Sequence, residues 1–252
     1  MTWYHALLSA FSTYSAIPTP RYRWDERVGA LTLCFFPAVG LVCGGLLALW
    51  HALCLALDAP AALFAAGAVC LPLLVTGGIH MDGYMDTSDA LSSHQSRERK
   101  LEIMKDPHTG AFAVIYCGVY LLLSYGLFSA LYASAALWVL CPGYVLSRAL
   151  SALCASLLPK ARRDGMLRRY TDPMRKGSAV PLCAVAALAA AGMLWLRPLP
   201  GLAALAAAGL ALLCYRALAL RVFGGVTGDT AGFFLELCEG MLLLGVWIGG
   251  LL

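Results

Sequence analysis

Seven long apolar runs, separated by short turns and two charged islands, leave this chain very few ways to fold. The runs cover about 28–57, 61–79, 111–130, 134–158, 179–196, 201–220 and 230–252. Each is close to the ~20 residues an α-helix needs to cross a hydrocarbon core of ~30 Å. The 252 residues are 61% hydrophobic and only 13% charged, about half the ~25% of a soluble domain. Mean hydropathy is +0.76. So few charges cannot cover the surface of a water-soluble fold. A soluble enzyme, a secreted module and a disordered chain are therefore excluded. The expectation is an all-α, polytopic integral membrane protein with about seven transmembrane helices, forming one domain over 1–252 in a lipid bilayer.

The basic residues sort by loop rather than by partner. Arg21, Arg23 and Arg27 precede the first run, and Arg97, Arg99, Lys100 and Lys105 fall in a first island, 80–110. Lys160, Arg162, Arg163, Arg168, Arg169, Arg175 and Lys176 fall in a second, 159–178, where Asp172-Pro173 favours a loop. The turns at 58–60 and 131–133 carry no Lys or Arg, and that at 197–201 carries one. Cytoplasmic loops collect positive charge, so the N-terminus, both islands and the segment 224–229 are expected in the cytoplasm. The net charge of +4 is then a topology signal, and no nucleic-acid partner is implied. Residues 1–17 contain no acid and no Lys or Arg, and Pro18 and Pro20 cut them short. They read as an interfacial helix within a segment 1–20 rather than a span. No basic n-region with a short apolar stretch and cleavage site is present, so a removable signal peptide is not expected. None of the ten cysteines forms a C-x-x-C pair, which leaves them as small packing residues.

The chemical signal lies in two acidic clusters. In the first, GGIHMDGYMDTSD from Gly77, Asp82, Asp86 and Asp89 stand at i, i+4 and i+7. On a helix all three carboxylates share one face. Like charges this close repel unless a cation bridges them, and hard oxygen ligands of this kind suit Mg²⁺. A solvated acidic face is the plainer alternative.

The second cluster is GGVTGDTAG from Gly224, followed by Glu236 and Glu239. Asp229 and Glu236 are seven apart and share a helical face. A last span starting near Thr230 carries Glu236 about 10 Å inward at ~1.5 Å per residue. A carboxylate at mid-span costs on the order of 2.5–3.5 kcal/mol, so two in one span mark a functional site by default. Hydrogen bonding between helices is the other reading. Gly224, Gly225, Thr227 and Gly228 are small enough to let backbone approach a phosphate.

Between the clusters, 97–104 alternates in sign and reads as an exposed helix. Lys105-Asp106-Pro107-His108-Thr109-Gly110 then forms a turn. Lys105 could pair a phosphate as a point charge, Asp106 could add a ligand, and His80 and His108 could move protons near neutral pH. Acids flanked by Lys and Arg at one membrane face suit Mg²⁺-dependent chemistry on a pyrophosphate, where charge neutralisation and positioning do most of the work. Asp82-Gly83 is followed by Tyr84, Met85 and Asp86, which departs from the D-G-x-x-A-R spacing of CDP-alcohol transferases.

At these residues the chain resembles the cobalamin (cobalamin 5′-phosphate) synthases, or adenosylcobinamide-GDP ribazoletransferases. The resemblance rests on GGIHMDGYMDTSD (77–89), LEIMKDPHTGAFA (101–113) and GGVTGD (224–229), with IPTP at 17–20 and FPAVG at 36–40. It implies an Mg²⁺-dependent enzyme of the bacterial cytoplasmic membrane, with its active site facing the cytoplasm. Such an enzyme joins adenosylcobinamide-GDP to α-ribazole, or its 5′-phosphate, and releases GMP. On this resemblance Asp82, Asp86, Asp89 and Asp229 hold the metal, with Glu236 as a further candidate. Lys105 neutralises charge, and Asp82 or His80 takes the hydroxyl proton. Lys105, Asp106, His108, Gly224, Gly225, Thr227 and Gly228 are the substrate-binding candidates. A homo-oligomer, or association with other cobalamin-assembly enzymes, is compatible with it. A transferase for another diphosphate-linked donor and a cation-coupled transporter are the alternatives.

Overall fold

The structure, a computed structural model, describes residues 2–162, 170–171 and 179–252. Most of the second basic island, including Arg163, Arg168, Arg169, Asp172, Pro173, Arg175 and Lys176, lies outside the described residues. A helix α1 (Thr2–Tyr14) ends before the two prolines, as the sequence suggests. Helix α2 (Glu26–Thr32) is capped by Asp25, whose carboxylate accepts from the Val28 N–H at 2.8 Å, and it runs on through a 3₁₀ turn into α3 (Phe36–Ala56). There follow α4 (Ala61–Thr76), α5 (Ile79–Ser92), α6 (Arg97–Ile103), α7 (Ala111–Leu131), α8 (Leu140–Leu157), α9 (Ala179–Leu196), α10 (Pro198–Leu218) and α11 (Gly228–Gly249).

Six stretches are long and apolar enough to cross a membrane: Glu26–Ala56, Ala111–Leu131, Ala135–Leu157, Ala179–Leu196, Pro198–Phe223 and Gly228–Gly249. The pair α4 and α5 would make a seventh, but it bends by 95° at the break between them. The fold is thus the expected all-α, multi-pass bundle, with six to seven membrane-length helices. Leu122, Leu188 and Trp195 are 73%, 73% and 88% exposed, an outward apolar surface that lipid would cover.

Glycine decides how closely the helices meet. A Cβ on Gly40 of α3 would lie on the Tyr144 carbonyl of α8, and one on Gly44 would stand 2.6 Å from the Cys141 oxygen. Small residues four apart let helices approach closely in a medium where the hydrophobic effect no longer drives them together. Gly245 and Gly249 of α11 do the same against α10, at Ala203–Ala204 and Leu199–Pro200. The α4–α5 bend is also built of glycine. Gly77 and Gly78 take φ of +64° and +76°, the left-handed region an L side chain seldom enters. The helical pattern stops at this pair, and the acidic stretch leaves in a new direction as α5.

Among the described residues the only β feature is a parallel bridge between Lys160 and Val226. The Val226 N–H donates to the Pro159 carbonyl at 2.8 Å, and the Ala161 N–H donates to Val226 at 3.1 Å. Through this bridge the end of α8 holds the turn that leads into α11.

Candidate active site

The two acidic motifs meet where α5 crosses the N-terminal turn of α11. A Cβ on Gly83 would stand 2.7 Å from the Asp229 carbonyl oxygen, and one on Gly232 would stand 3.0 Å from that of His80. Backbone therefore lies on backbone, and the side chains flanking each glycine share one cleft. Asp86 comes within electrostatic reach of Asp82, Asp89, Asp229 and Arg162. Arg162 stands 3.5 Å from the Asp229 carboxylate and also donates to the Leu101 carbonyl at 2.6 Å, tying the α6 region to the cleft.

The turn before α11 is a firm cap. The Thr227 hydroxyl accepts from the Thr230 N–H at 3.1 Å, and the Thr230 hydroxyl accepts from the Thr227 N–H at 2.9 Å. This reciprocal pair satisfies two otherwise orphaned donors. Thr227 is buried and its hydroxyl is used in the cap, whereas Gly228 is exposed at the helix start. Gly225 cannot be replaced by a larger residue without a clash, because a Cβ there would meet Pro159–Ala161 backbone at 2.5 Å. The Arg97 guanidinium packs on Gly224, 2.8 Å from where a Cβ would sit. The free N–H groups of the first turn of α11 carry partial positive charge, a ready seat for a phosphate.

The remaining expected residues divide in an informative way. Asp89 faces the start of α7: its carboxylate oxygens accept from the Gly110 N–H at 2.6 Å and the Ala113 N–H at 2.9 Å. It ties α5 to α7 and has less to offer a metal than Asp82, which is exposed. Lys105, Asp106 and His108 lie exposed on the α6–α7 loop. There the His108 backbone N–H donates to Asp106 at 3.0 Å and its ring Nδ1 lies 2.7 Å from the same oxygen. The His108 backbone and side-chain contacts hold the Asp106 carboxyl below its ordinary range. His80 is buried, with its ring 5.4 Å from Phe36 and stacked 6.4 Å from Tyr14.

Glu236 is not brought to the aspartates. It lines a separate cavity between α4, α7, α8 and α11 with Glu239, and bonds to the Tyr120 side chain. Glu239 is taken by Arg148, a fully buried cation that the charge pattern of the loops gave no reason to single out. The Ser147 hydroxyl adds a bond to Glu239 at 2.9 Å, and Arg148 donates to the Tyr144 carbonyl at 3.1 Å. Such a pair in a span offsets the cost of burying either charge alone. Arg162, Tyr14 and Tyr170 were likewise missed as site residues. In the sequence Arg162 is one of a run of basic loop residues, and no local spacing links the tyrosines to the acids.

Among the described residues no three His, Cys, Asp or Glu side chains stand together as a ready-made metal cage. The donor chemistry nonetheless fits Mg²⁺, which takes one or two carboxylates and completes its shell with water and substrate phosphate. Asp82, Asp86 and Asp229 supply such oxygens around one opening.

Fold and site together define a multi-pass α-helical membrane protein with a carboxylate-lined cleft at the crossing of two helix ends. Residues 6–247 match the cobalamin-5-phosphate synthase family. The chain belongs to that family. It is 40% identical over 249 residues to a protein of Lachnoclostridium phytofermentans named adenosylcobinamide-GDP ribazoletransferase, covering 98% of this chain and 95% of the relative. Proteins of the same name from Desulfitobacterium hafniense and Clostridium perfringens are 37% and 32% identical, covering 94% and 97% of this chain and 93% and 98% of theirs. No solved structure matches.

Proposed function

We propose that this protein joins adenosylcobinamide-GDP to α-ribazole, or α-ribazole 5′-phosphate, at the cleft between α5 and α11, with loss of GMP. One observation carries the reading: the Gly83–Asp229 contact gathers Asp82, Asp86, Asp229 and Arg162 around the exposed N-terminal turn of α11. The family membership and the names of the relatives support the same activity. Asp82, Asp86 and Asp229 would hold Mg²⁺, which when bound would neutralise the pyrophosphate. Arg162 adds positive charge, and the N–H groups at the start of α11 donate to the remaining phosphate oxygens.

A ribose hydroxyl of the acceptor forms the new bond to the phosphorus next to cobinamide, and the bond to the bridging oxygen breaks so that GMP leaves. The hydroxyl proton goes to Asp82, which is exposed in the cleft; His80 is enclosed by aromatic rings and less suited to pass a proton on. The enzyme works in the bacterial cytoplasmic membrane with this cleft toward the cytoplasm, consistent with the basic loops.

Purified protein in lipid nanodiscs, given adenosylcobinamide-GDP and α-ribazole, should release GMP with Mg²⁺ and stop on chelation. No GMP at any Mg²⁺ concentration would overturn the proposal; undiminished release in chelator would overturn the metal assignment.

A further inference from the structure

Helices α4, α7, α8 and α11 enclose a cavity of about 30 Å³ within the bundle, where one water needs ~10–15 Å³. There is room for a small ion with a water beside it. The joining reaction uses none of the residues around it. Its walls are mostly aliphatic, but the polar side chains on them are of one kind. Glu236 and Glu239 come from α11, Tyr120 and Ser124 from α7, and Tyr144 from α8. All five offer oxygen, and among the described residues no lysine, arginine or histidine lines the space.

The bonds these oxygens make leave capacity over. Glu239 gives Oε1 to Arg148 and Ser147, and its Oε2 has no hydrogen bond among the described residues. Tyr120 bonds to Glu236, which uses its one hydroxyl proton and leaves lone pairs on the oxygen. Ser124 and Tyr144 are both more than nine-tenths buried, and their hydroxyls make no hydrogen bond among the described residues. Neither hydroxyl is sealed inside protein, and the cavity is the space that both residues line. A further oxygen comes from the backbone. Pro72 lies inside α4 and has no N–H, so the Ala68 carbonyl lacks its usual donor four residues on. Both Ala68 and Pro72 line the cavity.

Charge narrows the occupant. Two carboxylates against the one guanidinium of Arg148 leave a single negative charge uncompensated within a span, where an unpaired charge is costly. A proton on Glu236 would cancel it, yet would leave the free oxygens buried without partners. A divalent ion would overshoot it. We infer that this cavity binds one monovalent metal cation, with Na⁺ fitting the small space, held by Glu236, the free Glu239 oxygen, the hydroxyls and the Ala68 carbonyl. Hard oxygen ligands suit such an ion, and a freed helix carbonyl beside an intramembrane acid is a known way to seat Na⁺. Bound there, the ion ties α4, α7 and α8 to α11, the helix whose first turn carries Asp229.

The test uses full-length protein in nanodiscs, in choline buffer with EDTA so that no divalent ion occupies the acidic cleft. Retention of radiolabelled Na⁺ is measured, and thermal unfolding is compared in NaCl and in equal choline chloride. Wild-type protein should retain about one Na⁺ per chain, and saturating NaCl should raise its melting temperature by about 5 °C or more. Glu236→Gln removes the uncompensated charge at constant shape and should lose both the retention and the shift. Ser124→Ala keeps the charge but removes one oxygen, and should weaken Na⁺ binding by about threefold or more. Asp86→Asn, in the cleft, should bind Na⁺ as the wild type does. Absence of both retention and shift in the wild-type protein would overturn the inference and leave the cavity to water and a proton. Binding that survives Glu236→Gln but is lost in Asp86→Asn would also overturn it, by assigning the ion to the cleft.

Discussion

Gly83 and Asp229 touch through their backbones: the Cα of one lies where any side chain would come within 2.7 Å of the other's carbonyl oxygen. With the Gly232–His80 approach, this contact brings an acidic helix from the first half of the chain to the N-terminus of the last one. Gly83→Ala should therefore harm activity even though alanine is the better helix former by about 1 kcal/mol. The added methyl meets backbone, which cannot swing away as a side chain could, so overpacking of about 1–3 kcal/mol is expected. GMP release should drop by at least about tenfold, and the melting temperature in detergent should fall. Near-normal turnover would show that the cleft tolerates separated helices.

The three aspartates of α5 should fail in different ways. Asp82→Asn and Asp86→Asn, like Asp229→Asn on α11, keep shape but lose charge, so activity should fall by orders of magnitude while the protein stays inserted and monodisperse. Asp89→Asn loses a charged acceptor from the α7 start, where each such bond is worth about 1.5–3 kcal/mol. Its main effect should be on thermal stability, seen in a melt of the purified variants. A stable but inactive Asp89→Asn would return this residue to the metal site.

Glu236 and Glu239 lie with Arg148 around a cavity apart from the aspartates. Glu236→Gln preserves a hydrogen bond to Tyr120, so the Mg²⁺ concentration for half-maximal rate should not move. Glu239→Gln strands a fully buried guanidinium, a loss of about 3–5 kcal/mol. Adding Arg148→Met should recover much of that stability in the double variant. If Glu236→Gln shifts the Mg²⁺ dependence, the two sites are coupled through α11.

Sidedness can be read from exposed positions on either side of the bent pair. Gln95→Cys, in the α5–α6 loop, should resist an impermeant thiol reagent in intact cells and react after permeabilisation. Leu57→Cys, at the α3–α4 turn, is 69% exposed and should react in intact cells. The native cysteines provide the background, so the single additions are compared with the unmodified protein. The opposite pattern would invert the orientation and turn the cleft away from the cytoplasm.

What the sequence determined by itself was everything that depends on local composition and period. Apolar runs of membrane length announced the spans, and Gly77-Gly78 and Pro18 marked where helices stop. The spacing of Asp82 and Asp86 gave their common face, because a helix repeats every 3.6 residues whatever surrounds it. The sequence places Pro198 and Pro200 in a link between two runs, yet helix α10 begins at Pro198. A first helical turn has no use for the missing N–H, so proline fits there.

Which groups meet is set by how the helices pack. By spacing alone Asp89 belonged with Asp82 and Asp86, and Glu236 with Asp229. Packing instead turned Asp89 toward α7 and Glu236 toward Tyr120. Arg162 comes beside Asp229, Arg148 beside Glu239, and Tyr14 beside both His80 and Tyr170, though none of these pairs is adjacent in the chain. The physical reason is that periodicity fixes the direction of a side chain from its own helix, while its neighbour is fixed by where helices cross. Those crossings follow from backbone-close contacts at Gly40, Gly83 and Gly232, whose partners lie far along the chain and leave no local trace in the sequence.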